Sequence, residues 1–145
     1  MNPVTHLAFK APTKDDIPNV LANIADTIRR LTASQPWSPT TGFKVNLILE
    51  ELATNTISHG SPPDNGQPDL SISITPTPQG ADIQYQDSGF PFDPLTDAPK
   101  TPAPTAEPLH MPLNGQGITL VRHMAHSITY RRLTGINSLS ISVTH

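Results

Sequence analysis

One stretch of the sequence places a carboxylate and a carboxamide one helical turn apart. Glu51, Asn55 and His59 recur at a spacing of four and share one stripe of a predicted helix, which Gly60 ends. A broad apolar arc lies beside this stripe: Val45, Ile48, Leu49, Leu52, Ala53 and Ile57. The stripe therefore borders the buried face, where polar groups can meet a ligand sheltered from water.

A second carboxylate stands where an apolar side chain is expected. Ile83 and Tyr85 belong to an alternating strand pattern, and Asp87 continues its inward phase. A carboxylate on a core-facing phase is costly unless it is hydrogen-bonded or paired. Two explanations stay open: Asp87 binds a ligand, or it caps a turn through Ser88 and Gly89.

A glycine pair, Gly115-x-Gly117, precedes a short helical pattern that begins at Ile118. Glycines at a helix start let bare backbone N–H groups approach an anion such as a phosphate. The alternative is a plain turn at Gly115, although no alternating strand precedes it, which disfavours a hairpin. His123 and His126 have no third ligand near them in sequence, so they do not predict a metal site.

The elements that must position these residues follow the order β-α-α-β-β-loop-α-β-β. Alternation or helical spacing marks residues 5–10, 16–32, 39–59, 70–74, 81–87, 118–125, 127–133 and 138–144. Ser38 is a plausible cap for the second helix, and Pro76 to Gly80 is predicted to turn the chain. This order groups helices on one face of a mainly antiparallel sheet, which is an α+β two-layer sandwich.

Composition restricts the classes of protein that the chain can be. It has 145 residues, a net charge of -3 and no cysteine, which excludes thiolate sites and offers no basic footprint for nucleic acid. No apolar stretch approaches the ~20 residues that cross a bilayer, and the start lacks a signal-peptide pattern. We therefore expect one cytoplasmic domain over residues 1–145. Proline is abundant, with 17 residues, and its clustering predicts a lid at about 93–113.

Taken in order, the three motifs resemble the N, G1 and G2 boxes of the Bergerat ATP-binding fold of histidine kinases, gyrase, mismatch-repair ATPases and Hsp90. The longer patterns Glu-x-x-Thr-Asn…His, Asp-x-Gly-x-x-Phe-Asp-Pro and Gly-x-Gly-Ile-x-Leu-Val look like the anti-sigma factor serine/threonine kinases of bacterial partner switching. The resemblance covers essentially the whole chain. Two departures are Phe90-Pro91-Phe92 in place of a second G1 glycine, and Ile118 where leucine is usual.

A third departure concerns the last strand, where the family often has a hydroxyl near the adenine. Ser138, Ser140 and Ser142 alternate with apolar residues, so their phase points away from the helices. None of them is therefore predicted to reach the adenine.

The resemblance implies a role for each site residue. Asn55 would contribute a side-chain oxygen to Mg²⁺ beside the ATP phosphates, and Glu51 would accept the proton of an attacking hydroxyl. Glu50 lies about 100° round the helix and is expected to be a bystander. Asp87 would accept a hydrogen bond from the exocyclic amine of adenine, and Gly89 would let the backbone pass close to the base.

The glycine pair would face the phosphates. Gly115 and Gly117, with Gln116 between them and Ile118 after them, would bring helix-start amides to the triphosphate. The proline-rich lid would close over it and exclude water.

By the same resemblance, the chain would phosphorylate a serine or threonine of an anti-anti-sigma partner and sequester a sigma factor, with a homodimer as one possible state. An alternative keeps nucleotide binding without catalysis, because Glu51 and Asn55 could serve Mg²⁺ alone. A histidine kinase fragment is disfavoured, since the first predicted helix carries no acceptor histidine. A helix-on-sheet protein without a ligand is the remaining alternative.

Overall fold

The computed structural model describes residues 4–59, 66–91, 93, 95 and 113–145, without the side chains of 113–117. Its long elements follow the predicted order: β1 (Thr5–Phe9), α1 (Ile17–Ser34), α2 (Pro39–His59), β2 (Leu70–Thr77), β3 (Gly80–Asp87), α3 (Leu113–Met124), β4 (Ser127–Leu133) and β5 (Ile136–Thr144). A 3₁₀ turn, Lys14–Asp16, leads into α1. The predicted helix stop at Gly60 and most of the predicted lid lie outside the described residues.

The five strands form one sheet in the order β1-β2-β3-β5-β4, and every neighbouring pair is antiparallel. The register aligns one apolar phase across the sheet, as in the row Leu7, Ile72, Tyr85, Leu139 and Tyr130. This phase packs against the buried faces of the helices, while the opposite face carries serine, threonine and glutamine. The prediction of an α+β two-layer sandwich is confirmed.

The first two helices lie very close to each other at one glycine. A Cβ placed on Gly42 would lie 2.5 Å from Oγ1 of Thr32, in the last turns of α1. Ser38 caps α2 as predicted, because its Oγ accepts a hydrogen bond from the backbone N–H of Thr41 at 3.1 Å. The glycine that helix propensity disfavours is therefore where the Thr32 side chain of α1 leaves no room for a side chain on α2.

The turn predicted from Pro76 is wrong by two residues. Strand β2 continues through Pro76 to Thr77, which pairs with Gly80. Pairing with β1 ends at Ile74, so at Pro76 the described strands flank β2 only on the β3 side. A proline that lacks the N–H is tolerated there, because no ladder bond is needed on the other side.

Two other element starts differ from the predicted ones. Helix α3 begins at Leu113 and not at Ile118, so the glycine pair lies inside it. Strand β5 begins at Ile136 and not at Ser138, which brings Asn137 into the sheet opposite Asp87. In both places a local pattern of glycine or asparagine suggested a turn, and for β5 the pairing with β3 extends the strand.

No helix in the described part of the chain is long and apolar enough to cross a membrane.

Candidate functional site

In the described part of the chain, helix α2 packs against both α1 and α3. Gly42 marks the α1 side. Glu51 follows Gly42 by nine residues, which at about 100° per residue places the two about 180° apart on α2. Asn55 lies one turn further along the same stripe. The predicted pair therefore lies on the side of α2 that faces away from α1.

Glu51 and Asn55 are both half-buried. Burial raises the pKa of the Glu51 carboxyl above its usual value, and the neighbouring charge of Glu50 raises that pKa further. Among the described residues, neither side chain has a hydrogen-bond partner. A carboxylate and a carboxamide thus lie together at a partly sheltered surface of α2.

The second predicted carboxylate lies at the junction of α2, β3 and β5. Oδ1 of Asp87 accepts hydrogen bonds from the backbone N–H of Gly89 at 2.9 Å and from Nδ2 of Asn137 at 3.0 Å. Oδ2 has a 3.5 Å contact with Oγ1 of Thr56. The turn explanation is therefore correct for Oδ1, and it leaves Oδ2 weakly engaged, so the two explanations of Asp87 are compatible.

A buried polar pair connects Asp87 to the centre of α2. The hydroxyl of Tyr85 donates to the backbone oxygen of Leu52 at 2.9 Å and lies 2.6 Å from Oγ1 of Thr56. Burial keeps the pKa of Tyr85 well above its usual value; the charge of Asp87 acts in the same direction and the bond with Thr56 opposes both. Tyr85 is therefore a neutral donor, and it ties the end of β3 to α2 one residue from Asn55.

The loop that follows Asp87 is held through its backbone. Nη1 of Arg132 donates to the oxygen of Gly89 at 2.9 Å, and Nδ2 of Asn137 donates to the oxygen of Phe90 at 2.8 Å. Further along, Arg122 on α3 donates to the oxygen of Leu95 at 3.1 Å. The segment between β3 and α3 is thus fastened where it leaves the sheet, both to the β4–β5 hairpin and to α3.

Sequence reasoning missed Asn137, which is 7% exposed and lies on the inward phase of β5 with Leu139, Ile141 and Val143. The signal was present in that phase: an inward polar residue directly opposite another inward polar residue. That the two residues lie opposite each other could be recognised only from the β3–β5 register, which pairs Asp87 with Asn137.

The glycine pair lies in the first turns of α3. Of the two, Gly115 falls within the first turn from Leu113, where backbone N–H groups lack an intrahelical acceptor, and Gly117 falls just beyond it. Gln116 lies between them. Ile118 is 6% exposed and belongs to the core, so its side chain packs inward.

Glu50 is the predicted bystander, and His59 shares the predicted stripe of Glu51 and Asn55. His59 is exposed at the end of α2, and Glu50 is a half-buried neighbour that acts on Glu51 through its charge. The described residues hold no cluster of three or more histidine, aspartate or glutamate side chains that could bind a metal.

Comparison with known proteins identifies a family for this chain. The family model for the histidine kinase-like ATPase domain matches residues 16–143. The chain belongs to that family. Membership implies ATP binding, and the region matched contains all three sequence motifs.

One curated relative is the serine/threonine-protein kinase BtrW of Bordetella bronchiseptica. It is 29% identical over 107 residues, which cover 73% of this chain and 72% of the relative. Among solved structures, the histidine kinase domain of a blue-light activated histidine kinase from Erythrobacter litoralis EL346 aligns with a TM-score of 0.49 and 15% identity. That alignment covers 88% of this chain and 65% of the other.

Proposed function

We propose that this chain is an ATP-dependent serine/threonine kinase of the partner-switching type. It phosphorylates a hydroxyl of an anti-anti-sigma protein and sequesters a sigma factor in its other state. The carrying observation is the half-buried Glu51, whose pKa burial raises, one turn from Asn55 on the side of α2 away from α1. Membership of the ATPase family and the relative named as a serine/threonine kinase support the same activity.

The residues fit ATP and Mg²⁺. Asn55 would hold the ion with one side-chain oxygen, which suits a hard cation that keeps several waters and binds phosphate oxygens. The bound ion would neutralise charge on the phosphates. Gly115 and its neighbours would meet those phosphates with first-turn amides of α3. Oδ2 of Asp87 would accept a hydrogen bond from the exocyclic amine of adenine, because Oδ1 already accepts hydrogen bonds from two N–H donors.

Glu51 would act as the general base. The hydroxyl oxygen of the protein substrate would attack the γ-phosphorus of ATP and form a new O–P bond. The bond between the γ-phosphorus and the β–γ bridging oxygen would break, ADP would leave with that oxygen, and the hydroxyl proton would move to the Glu51 carboxylate. A raised pKa suits this role, because a base works best when its pKa lies close to the operating pH. Such a base contributes typically ~10²–10⁴-fold in rate.

Phosphotransfer assays test the role of Glu51. Incubation with ATP, Mg²⁺ and the cognate antagonist is expected to yield phosphoserine or phosphothreonine, detected by mass spectrometry. Glu51→Ala is expected to lower the rate by ~10²-fold or more with little change in ATP affinity, because the base acts on the hydroxyl and not on the nucleotide. Glu50→Ala is the matched control and should keep most of the activity.

Equal rates for Glu51→Ala and wild type would remove Glu51 from the base role. ATP binding by calorimetry without transfer to any antagonist would favour a nucleotide-binding module that acts by sequestration alone. The proposed nucleotide site would be overturned if wild type bound ATP and GTP with equal affinity and if Asp87→Asn left the affinity for ATP unchanged.

A further inference from the structure

The carboxamide of Asn137 holds the carboxylate of Asp87 from the opposite strand. We propose that Asn137 is a positioning residue for base recognition: it orients Asp87 so that Oδ2 faces the nucleotide, and so sets the preference for a 6-amino purine. This inference rests on the proposed function, because it assumes that Asp87 meets the base.

The hydrogen bonds around Asn137 determine the orientation of its amide. Nδ2 lies 3.0 Å from Oδ1 of Asp87 and 2.8 Å from the backbone oxygen of Phe90. A backbone oxygen accepts only, so the amide atom facing it must be the NH₂ group. On the other side, Oδ1 of Asn137 accepts the hydroxyl proton of Tyr130 at 2.6 Å. A flipped amide would lose the bonds to Asp87 and Phe90, because both of those partners can only accept.

This orientation controls which oxygen of Asp87 remains for a ligand. Oδ1 of Asp87 accepts two N–H groups, from Asn137 and from Gly89. Oδ2 has only the 3.5 Å contact with Thr56 among the described residues, which is long for an O–H···O bond. Because these two donors hold one carboxylate oxygen, they fix the plane of the carboxylate and therefore the direction of its other oxygen. Asn137 therefore keeps one defined acceptor directed away from β5.

The same strand pair also supports the loop next to Asp87. Asn137 pairs with Arg132 in the β4–β5 register, and both side chains donate to adjacent backbone oxygens, those of Phe90 and Gly89. The ring of Phe90 is 40% exposed although its backbone is fastened. The carboxylate and the loop after it are thus positioned by one hairpin, and Asn137 is its residue in direct contact with both.

Two nucleotides that differ only at the 6-position of the purine can show whether Asn137 positions Asp87 for the base or only supports the fold. ATP carries an amine there, and purine riboside triphosphate carries hydrogen. Asn137→Ala is expected to weaken ATP binding by about tenfold, because the carboxylate loses a donor and its fixed rotamer. Binding of purine riboside triphosphate should stay within about twofold of wild type, since it never uses the Asp87 contact. Calorimetric Kd values for both nucleotides measure the difference.

Matched variants complete the test. Ser140→Ala, on the outer face of the same strand where Ser140 bonds Gln84, should leave both affinities unchanged. Tyr130→Phe keeps the ring and removes the donor to Asn137, so it should weaken ATP selectively by a smaller factor. Tyr130→Phe also tests the inference if Asn137→Ala fails to fold.

Asp87→Asn is expected to reverse the nucleotide preference, which a loss of packing alone would not do. Because Asn137 and Gly89 both donate, the new carboxamide should keep its oxygen toward them and present its NH₂ group to the base. The preference should then move from ATP toward inosine triphosphate, whose 6-carbonyl accepts. Adding Asn137→Ala should reduce this inversion.

Equal losses for ATP and purine riboside triphosphate in Asn137→Ala, or an ATP preference that survives both Asn137→Ala and Tyr130→Phe, would overturn the inference. If Asp87→Asn loses the preference while those two variants keep it, the proposed base site stands and only the role of Asn137 falls. If wild type shows no preference for ATP over purine riboside triphosphate, the proposed contact at Asp87 fails.

Discussion

Glu51 illustrates how burial raises the proton affinity of a carboxylate at a cost in stability. The charged form is disfavoured first by lost hydration and second by the charge of Glu50. A carboxyl whose pKa is higher in the folded state binds protons more tightly there than in the unfolded chain. Stability therefore falls as pH rises from the unfolded to the folded pKa of Glu51, and the cost is fully present above the folded pKa.

Glu51→Gln is expected to raise the free energy of unfolding at neutral pH, because glutamine removes the buried charge and keeps the shape. The gain should shrink as pH falls through the folded pKa of Glu51. It should vanish below the ordinary pKa of a glutamate, where the Glu51 carboxyl is protonated in both the folded and the unfolded state. Urea unfolding at several pH values measures it. Glu50→Gln should show a smaller gain, since it removes only the second cause. A pH-independent difference for Glu51→Gln would contradict this account.

At the scale of elements, the contact between α1 and α2 depends on a missing side chain. Gly42 costs about 1 kcal/mol of helix propensity relative to alanine. The space that a Cβ would need is taken by Thr32, whose Oγ1 also donates to the backbone oxygen of Ile28 at 2.8 Å. The packing of the two helices therefore outweighs local propensity at this position.

Gly42→Ala is expected to destabilise the protein by about 1–3 kcal/mol, although alanine is the better helix former, because the added methyl overpacks the α1–α2 contact. Chemical denaturation measures the loss. The double variant Gly42→Ala with Thr32→Ala should recover most of it, since the obstructing hydroxyl is gone. A single variant as stable as wild type would show that the helices separate without cost.

At the scale of the whole molecule, the candidate site is assembled from segments that are far apart in the chain. Glu51 and Asn55 come from α2, Asp87 from the end of β3, Asn137 from β5 and the glycine pair from α3. A ligand that contacts all of them binds the folded state alone. Its binding must therefore stabilise the entire fold by mass action.

ATP with Mg²⁺ is accordingly expected to raise the thermal midpoint. At about 100 times its Kd, ATP adds ~2.7 kcal/mol to the free energy of unfolding. For a domain of this size that corresponds to roughly 5–10 °C. Differential scanning calorimetry over a series of ATP concentrations checks the logarithmic dependence. Asp87→Asn at the same ATP concentrations should show a clearly smaller shift; shifts equal to wild type would mean that ATP binds elsewhere.

Much of the fold follows from local patterns in the sequence. The alternation of Leu70, Ile72 and Ile74, the helical spacing of α1 and the capping serine at Ser38 predicted their elements correctly, because each depends on neighbours within a turn or a strand. The inward phase of Asp87 was also evident from its own strand. The polar stripe of α2 placed Glu51 and Asn55 together for the same reason.

Contacts between distant segments decided the rest. Pro76 stays in β2 because β1 ends short of it, Gly42 is required because Thr32 lies opposite, and Asn137 meets Asp87 because β3 pairs with β5. The raised pKa of Glu51 likewise comes mainly from burial, which tertiary packing produces. Sequence by itself determined the periodicity of the elements and the candidate chemistry; only the tertiary structure decided register, close approach and desolvation, because those depend on residues that the chain brings together after folding.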